Sequence, residues 1–363
     1  MTSYFYLGSY AKYISQWGYN SSDRKLTYVA SHPSGDGPSW LVTTPDKLYL
    51  YAAVEMEGMV ESYSIEKGGQ LKKTSAAFTC GDYPCFISVD PVGGKYILVA
   101  NYGKGRQGVL ASFPVEDGSF GTPTLLVHNP PRGKESHIHC AEIFQNYVAV
   151  VDLGLDTVSQ YALTPGVGIA AADMSPVSVI TFPIGSGPRH IKFHPTLPIA
   201  VTILELSNEV VLLPFDRQTG LLKAPSSFAN SSYSTLRANE SAENMTASAV
   251  VVTPSFVYAS NRDRTVERTK YPRTHRSSVA IFQIVSNGND EYKLQLLQHV
   301  AAGGDFPRHI DLINGGTELL LMNQEDSNFV SYTVDSSTGL VQEDSAVVST
   351  DPALYKPTHN IFV

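Results

Sequence analysis

Arginine and histidine follow proline in a short motif that occurs twice in the chain. Gly187-Pro188-Arg189-His190-Ile191 is one copy, and Phe306-Pro307-Arg308-His309-Ile310 is the other. A guanidinium group binds carboxylate or phosphate through paired donors. An imidazole titrates near neutral pH and can therefore transfer protons. These residue types suit chemistry on an anionic substrate.

The two copies belong to a longer repeat, because a second motif downstream keeps the same offset. Thr219-Gly220-Leu221 follows the first copy, and Thr338-Gly339-Leu340 follows the second at an equal distance. Weaker copies of the proline-centred motif occur elsewhere. The seven anchors of the repeat are Pro38, Pro84, His137, Pro188, Thr246, Pro307 and Pro357. A spacing of about 50 residues in a chain rich in β-forming residues is typical of propeller blades.

Apolar runs after each anchor predict strands. Tyr96–Ala100 and Tyr147–Val151 are β-branched and aromatic segments bounded by turn-forming residues. Phe5–Gly8 looks like a second strand that lacks a first, and Asn360–Val363 looks like a first strand that lacks a second. We therefore predict an all-β fold, a seven-bladed propeller of four-stranded antiparallel blades. One composite blade from both termini would close it, and residues 1–363 would form a single domain.

This topology gathers the polar residues of the repeats at one face. Consecutive strands are antiparallel, so the start of a first strand lies beside the end of the second. First-strand starts supply His137, His139, Arg189, His190, Arg308, His309 and His359. Second-strand ends supply Glu55, Asn101, Asp152, Glu205, Arg262 and Gln324. Convergent polar groups of this kind predict a ligand site. The alternative for each single Arg or His is that it caps a strand or binds the carbonyl of a neighbouring blade.

Several motifs resemble the lactonase family of seven-bladed propellers, which includes 6-phosphogluconolactonases and 3-carboxy-cis,cis-muconate cyclases. The resemblance covers nearly the whole chain. Its motifs are Gly187–Pro195, Tyr258–Arg262, Val99–Tyr102, His137–His139 and Val151–Gly154. It implies a catalytic set of His139, Arg189, Glu205 and Arg262. The other residues predicted to bind substrate at this face are His137, Glu55, Asn101, Asp152, His190, Arg308 and Gln324.

Three functions stay open on the sequence. In the hydrolase hypothesis, Arg189 and Arg262 bind an anionic lactone and its developing oxyanion. His139 acts as general base toward water or as acid toward the leaving oxygen, and Glu205 orients a neighbouring Arg or His and balances charge. In the cyclase alternative, the same residues add a substrate carboxylate across a double bond. In the third, the propeller is a non-enzymatic binding scaffold. Hydrolysis of an anionic sugar lactone is the favoured hypothesis.

Composition and charge bear on the partners. The net charge of −8 over 363 residues argues against nucleic-acid binding through the overall field. No apolar stretch approaches the roughly 20 residues that span a membrane, and Met1–Gly8 lacks signal-peptide features. The three cysteines have no metal-ligand spacing, and we predict no cofactor or metal. We expect a cytoplasmic protein whose partner is a small anionic lactone or polycarboxylate. A monomer fits the sequence, which carries no interface signal.

A basic segment follows Arg262. Its charged residues are Arg264, Arg268, Lys270, Arg273, His275 and Arg276. This segment is predicted to be either a solvated loop or a basic lid over an anionic substrate.

Overall fold

The computed structural model describes residues 2–103, 107–171, 174–238, 240–265, 277–288 and 291–363, and these residues form seven antiparallel sheets. Their helical content is one short α-helix, Phe228–Ser231, and three 3₁₀ turns at Glu55–Glu57, Ala242–Asn244 and Asn314–Gly316. In this described part of the chain, no helix is long and apolar enough to cross a membrane.

The first sheet combines the two ends of the chain. It contains β1 (Thr2–Ser9), β2 (Tyr13–Asn20), β3 (Lys25–Pro33) and the last strand, β29 (Pro357–Phe362). β29 pairs with β1 and forms one edge of this sheet. The amide of Val363 continues the pairing by donating to the carbonyl of Tyr4 at 3.2 Å. The predicted composite blade is therefore confirmed.

The other six sheets are built from consecutive strands. The second contains β4 (Pro38–Thr43), β5 (Tyr49–Val54), β6 (Met59–Ile65) and β7 (Leu71–Phe78). The third contains β8 (Pro84–Val89), β9 (Tyr96–Asn101), β10 (Gly108–Glu116), β11 (Ser119–Phe120) and β12 (Thr124–His128). The fourth contains β13 (Ile138–Phe144), β14 (Tyr147–Asp152), β15 (Thr157–Ala162) and β16 (Ser178–Thr181).

The remaining sheets follow the same pattern. The fifth contains β17 (Pro188–Phe193), β18 (Ile199–Leu204), β19 (Glu209–Pro214) and β20 (Ser232–Ser234). The sixth contains β21 (Met245–Val252), β22 (Phe256–Asp263), β23 (Ser278–Gly288) and β24 (Glu291–Ala301). The seventh contains β25 (Pro307–Ile313), β26 (Glu318–Asn323), β27 (Asn328–Val334) and β28 (Val341–Thr350). We call the sheets blades 1 to 7. They match the predicted seven blades, and blade 3 carries β11 as an additional short strand.

The chain divides into two compact units. The first runs up to Val179 and includes Thr358–Val363, and the second comprises Ile180–Pro357. In the first unit β4 packs against β8 and β8 against β13, and in the second β17 packs against β21 and β21 against β25. Within each unit, the first strands of successive blades lie side by side, as innermost strands of a propeller do. A single domain over the whole chain stays a prediction.

The apolar core lies between neighbouring blades. Tyr51 of blade 2 packs in one cluster with Val99 and Phe113 of blade 3. Tyr258 of blade 6 packs in another cluster with Leu321 of blade 7. Burial of apolar surface contributes about 25 cal/mol per Å², so the contact between successive blades is a main source of stability.

Six first strands carry a β-bulge at the same place. The pairing of β17 with β18 joins Pro188 to Leu204 and then His190 to Ile203, so Arg189 is the extra residue. Equivalent shifts occur in blades 2, 3, 4, 6 and 7. The bulge residues are Ser39, Cys85, His139, Arg189, Ser248 with Ala249, and Arg308. A bulge re-aims its extra side chain, which gives His139, Arg189 and Arg308 equivalent positions in their own blades.

Removal of residues 357–363 is expected to destabilise the protein strongly. It deletes β29 and leaves β1 as an unpaired edge, which is prone to pair with other chains. We expect the truncated protein to lose several kcal/mol of unfolding free energy, and therefore to unfold at least about 10 °C below the parent. We also expect it to aggregate. Thermal unfolding and light scattering measure both effects. A synthetic peptide of residues 356–363 should raise the unfolding temperature again. A scrambled peptide is the control, and equal effects of the two peptides would contradict the prediction.

Candidate active site

Glu205 is the centre of a buried ionic cluster in the second unit. It follows β18 directly, and its amide donates to the carbonyl of Gly187 at 2.7 Å. Its Oε2 lies 2.9 Å from Nε of Arg189, and its Oε1 lies 2.9 Å from Nη2 of Arg262. One carboxylate thus joins an arginine from the bulge of blade 5 to an arginine from the second strand of blade 6.

The backbone at the bulge of blade 6 fixes the same two arginines. Nη1 of Arg189 donates to the carbonyl of Ser248 at 2.8 Å, and Nη2 of Arg262 donates to the carbonyl of Ala247 at 3.2 Å. Nη1 of Arg189 also lies 3.2 Å from Nε2 of His190. The carbonyl bond that was the structural alternative for Arg189 is therefore present, and it coexists with the ion pair to Glu205.

Burial and charge set the ionisation of the cluster. Arg189 is 2% exposed and Arg262 is 5% exposed. Burial raises the pKa of the Glu205 carboxyl, but Arg262, Arg189 and Arg308 together outweigh burial and hold that pKa below its usual range. Burial lowers the pKa of Arg262, and Glu205 opposes that shift. Glu205 is therefore ionised at neutral pH and cannot serve as a general acid there.

Arg308 and Gln324 extend the cluster within blade 7. Nη1 of Arg308 donates to Oε1 of Gln324 at 3.3 Å. The amide of Gln324 donates to the carbonyl of Phe306 at 3.0 Å, just as the amide of Glu205 donates to Gly187. The six predicted residues of this unit, Arg189, His190, Glu205, Arg262, Arg308 and Gln324, are thus connected by hydrogen bonds, ion pairs or electrostatic interaction.

The first unit contains a separate aromatic group around two predicted histidines. His139 is the bulge residue of blade 4 and is 6% exposed. The ring of Tyr102 stacks on His137 at 4.3 Å between centroids and meets His139 edge-on at 5.9 Å. Nδ1 of His137 also lies 2.9 Å from the carbonyl of Tyr102. In the same unit, the hydroxyl of Tyr10 donates to Oε1 of Glu55 at 2.9 Å.

Asn101 and Asp152 lie one residue earlier in their strands than Glu205 does in its own. Asn101 pairs directly with Pro84, whereas Pro188 pairs with Leu204 and leaves Glu205 beyond the ladder. Tyr102 takes the place of Glu205 in blade 3, because its amide donates to the carbonyl of Tyr83 at 2.9 Å. The side chains of Asn101 and Asp152 therefore point to the opposite face of their strands.

These two side chains are fully buried and bonded inside the protein. Asp152 accepts bonds from the hydroxyl of Ser136 and the amide of His137, and its Oδ2 lies 2.8 Å from Nδ1 of His128. The amide group of Asn101 donates to the carbonyl of Val109 at 3.0 Å. These contacts connect strands and blades. A role in substrate binding stays a prediction for both residues, without support from their contacts.

Sequence reasoning missed three residues of these clusters. Tyr102 was overlooked because the preceding residue, Asn101, was taken as the polar end of the second strand. Ser248, whose carbonyl binds Arg189, lies two residues after the anchor Thr246 and was not among the predicted site residues. Phe306, whose ring contacts Arg262, precedes Pro307 at the place where the first copy has Gly187.

No group of three or more His, Cys, Asp or Glu side chains among the described residues is placed to hold a metal ion. Most of the basic segment, residues 266–276, lies outside the described residues, so its role as loop or lid stays a prediction.

Comparison with known proteins gives consistent matches over the whole chain. A family model described as "Lactonase, 7-bladed beta-propeller" matches residues 4–355. A 6-phosphogluconolactonase of Bacillus subtilis (strain 168) is 30% identical over 93% of this chain and 93% of its own length. A 6-phosphogluconolactonase of Formosa agariphila is 25% identical over 91% of this chain and 90% of its own. The structure of the Pseudomonas aeruginosa periplasmic gluconolactonase matches with a TM-score of 0.82, 23% identity and coverage of 100% and 99% of the two chains.

Glu205→Gln should destabilise the protein by about 3 kcal/mol at pH 7, because it leaves buried arginines without their carboxylate. The folded-state pKa of Glu205 is lowered, so its contribution is complete above the unfolded pKa near 4.5 and disappears as the pH falls through the folded value. Urea unfolding at pH 7 and below pH 4.5 measures this. The exposed Glu243→Gln is the control. A pH-independent difference between Glu205→Gln and the parent would contradict the prediction.

Asp152→Asn should lower the free energy of unfolding by about 3 kcal/mol, since an amide cannot accept all the bonds that the carboxylate accepts. Urea unfolding measures the change, with the exposed Asp82→Asn as control. If Asp152 instead bound substrate, Asp152→Asn would weaken substrate binding and leave the free energy of unfolding unchanged.

Proposed function

Because the chain belongs to the lactonase family of seven-bladed β-propellers, we propose that it hydrolyses an anionic sugar lactone of the 6-phosphogluconolactone type. The observation that carries the proposal is the pairing of two buried arginines, Arg189 and Arg262, with the single carboxylate of Glu205. The names of the relatives support the choice of lactone.

The two arginines suit the charge that develops when a lactone opens. Attack of water on the ring carbonyl generates an oxyanion, and donors that are fixed beforehand stabilise it most. Arg189 and Arg262 are fixed in this way, because each forms an ion pair with Glu205 and donates a hydrogen bond to a backbone carbonyl of blade 6. Their planar guanidinium groups also suit the carboxylate or phosphate of the substrate.

Glu205 acts as an orienting group in this mechanism. Its pKa is below the usual range, so it stays ionised, holds the two guanidinium groups and balances part of their charge. Arg308 is bonded to Gln324 beside this cluster and is proposed to bind the anionic group of the substrate. His190 contacts Arg189 and helps to orient it.

We assign the general base to His139 on separate grounds. An imidazole has a pKa suited to removing a proton from water near neutral pH. His139 also occupies the bulge position of its blade, which Arg189 and Arg308 occupy in theirs. The proposed reaction is direct attack of water on the lactone carbonyl, followed by protonation of the leaving ring oxygen.

The decisive test is turnover of 6-phosphogluconolactone and of 3-carboxy-cis,cis-muconate, with chelator present. We expect loss of the lactone above its spontaneous rate and no turnover of the muconate. His139→Ala should lower kcat about 100-fold or more, and Arg262→Ala should lower kcat/KM by about 100- to 1000-fold. Arg262→Lys is the second variant if Arg262→Ala does not fold, and the exposed Arg217→Ala is the control.

The other outcomes separate the alternatives. Turnover of the muconate alone would replace the hydrolase by a ring-closing enzyme. Turnover of neither compound, in a folded protein, would reject the proposal and favour a binding scaffold. Full activity of His139→Ala would reject the assignment of His139 as general base. The arginine cluster would then be the only part of the proposed mechanism that remains.

A further inference from the structure

Phe306 lies against the ionic cluster of the second unit. The centroid of its ring is 4.9 Å from Cζ of Arg262. A guanidinium within about 6 Å of an aromatic face is attracted by the ring electrons, most strongly where water is excluded. Arg262 is 5% exposed, and Phe306 is half-buried. The ring therefore covers one face of a guanidinium whose Nη2 faces Glu205.

The backbone at Phe306 does not suit a phenylalanine. Its φ is +69°, in the left-handed region, and the equivalent residue of blade 5 is Gly187 with φ +62°. Both residues accept the amide hydrogen of the residue that follows the second strand, Gln324 and Glu205 respectively. A bulky residue costs energy in this conformation, whereas glycine does not. The equivalent residue of blade 3 is Tyr83 with φ +54°, so the role of the Phe306 ring rests on its contact with Arg262 and not on the backbone alone.

One serine fixes the ring and the arginine relative to each other. Oγ of Ser277 accepts the amide hydrogen of Phe306 at 3.2 Å and also that of Asp263, the neighbour of Arg262, at 3.2 Å. Ser277 is fully buried. The turn before blade 7 and the end of β22 are therefore held at one point, and the ring has a defined position over the guanidinium.

We propose that Phe306 is a positioning residue that keeps the guanidinium of Arg262 in one orientation for the reacting oxygen of the lactone. The proposal rests on the proposed function for the identity of that oxygen. The ring opposes rotation of the guanidinium. Glu205 and the carbonyl of Ala247 hold its Nη2. The other N–H groups of Arg262 therefore keep one direction. A donor group fixed before the reaction lowers the barrier more than a mobile one.

Three substitutions separate the ring from other properties of the residue. Phe306→Leu keeps an apolar side chain at the same φ but removes the aromatic face, Phe306→Trp keeps the face, and Phe306→Gly relieves the backbone. We expect kcat to fall about tenfold in the leucine and glycine variants, with KM changed less than threefold, and to stay within about threefold of the parent in the tryptophan variant. Phe306→Gly should unfold at a temperature no lower than Phe306→Leu. The half-buried Phe228→Leu in the same unit is the control. Equal activity of the leucine and tryptophan variants would overturn the proposal.

A double-mutant cycle with Arg262 gives the second readout. In the Arg262→Lys background, Phe306→Leu should change kcat less than about twofold. The same cycle on urea unfolding requires no substrate and should also show coupling between the two positions. If the parent hydrolyses no lactone but the two substitutions have coupled effects on the free energy of unfolding, the proposed function is rejected. The positioning of Arg262 by Phe306 is then retained. Independent effects of the two substitutions on both turnover and unfolding would overturn the role of Phe306 whatever the activity of the parent.

Discussion

The extra residue in the first strand of six blades is the constraint on which the fold and the candidate site both depend. A bulge interrupts the ladder of backbone hydrogen bonds, and buried backbone groups require other partners. At several places the partner is a small polar side chain at the first-strand start of the preceding blade. These bonds run from Thr358 to the carbonyl of Ser39, from Cys85 to that of His139 and from Ser248 to that of Arg308. The strand starts therefore fasten successive blades within each unit.

Arg189 makes the same lateral connection with a longer side chain. Its Nη1 reaches the carbonyl of Ser248, and its Nε stays beside Glu205. A hydrogen bond that joins two blades and an ion pair that the proposed reaction uses thus share one guanidinium. Isolated buried charges cost several kcal/mol each, so the cluster is stable only while Glu205 is ionised. The site is in this sense part of the scaffold, and changes to its charges alter the packing of blades 5 and 6.

The repeat made most of the fold predictable. The site was only partly predictable, because turn lengths differ between repeats. The composite blade followed from the two unpaired terminal strands. His194 has a structural role in a turn, where its Nδ1 accepts the amide hydrogens of Thr196 and Leu197. Asn101 was placed one residue off, because the turn between Asp90 and Tyr96 is one residue longer than the turn between His194 and Ile199. Counting between anchors cannot detect such a turn, since a longer loop and a longer strand give the same interval. The contact of the Phe306 ring with Arg262 was also unpredictable, because the residue before the proline varies among the repeats and is Gly37, Tyr83, Gly187 or Lys356 elsewhere.

The pairing of β29 with β1 has a consequence for the time course of synthesis. β1 leaves the ribosome roughly 350 residues before its partner β29, an interval of about 20 to 70 s at 5–20 residues per second. During this interval blade 1 cannot be completed, although the later blades can form as they emerge. Blade 1 is then completed by the docking of one short strand onto a waiting edge. The rate of that step, and the protection of the edge until it occurs, decide how much of the newly made chain reaches the native state.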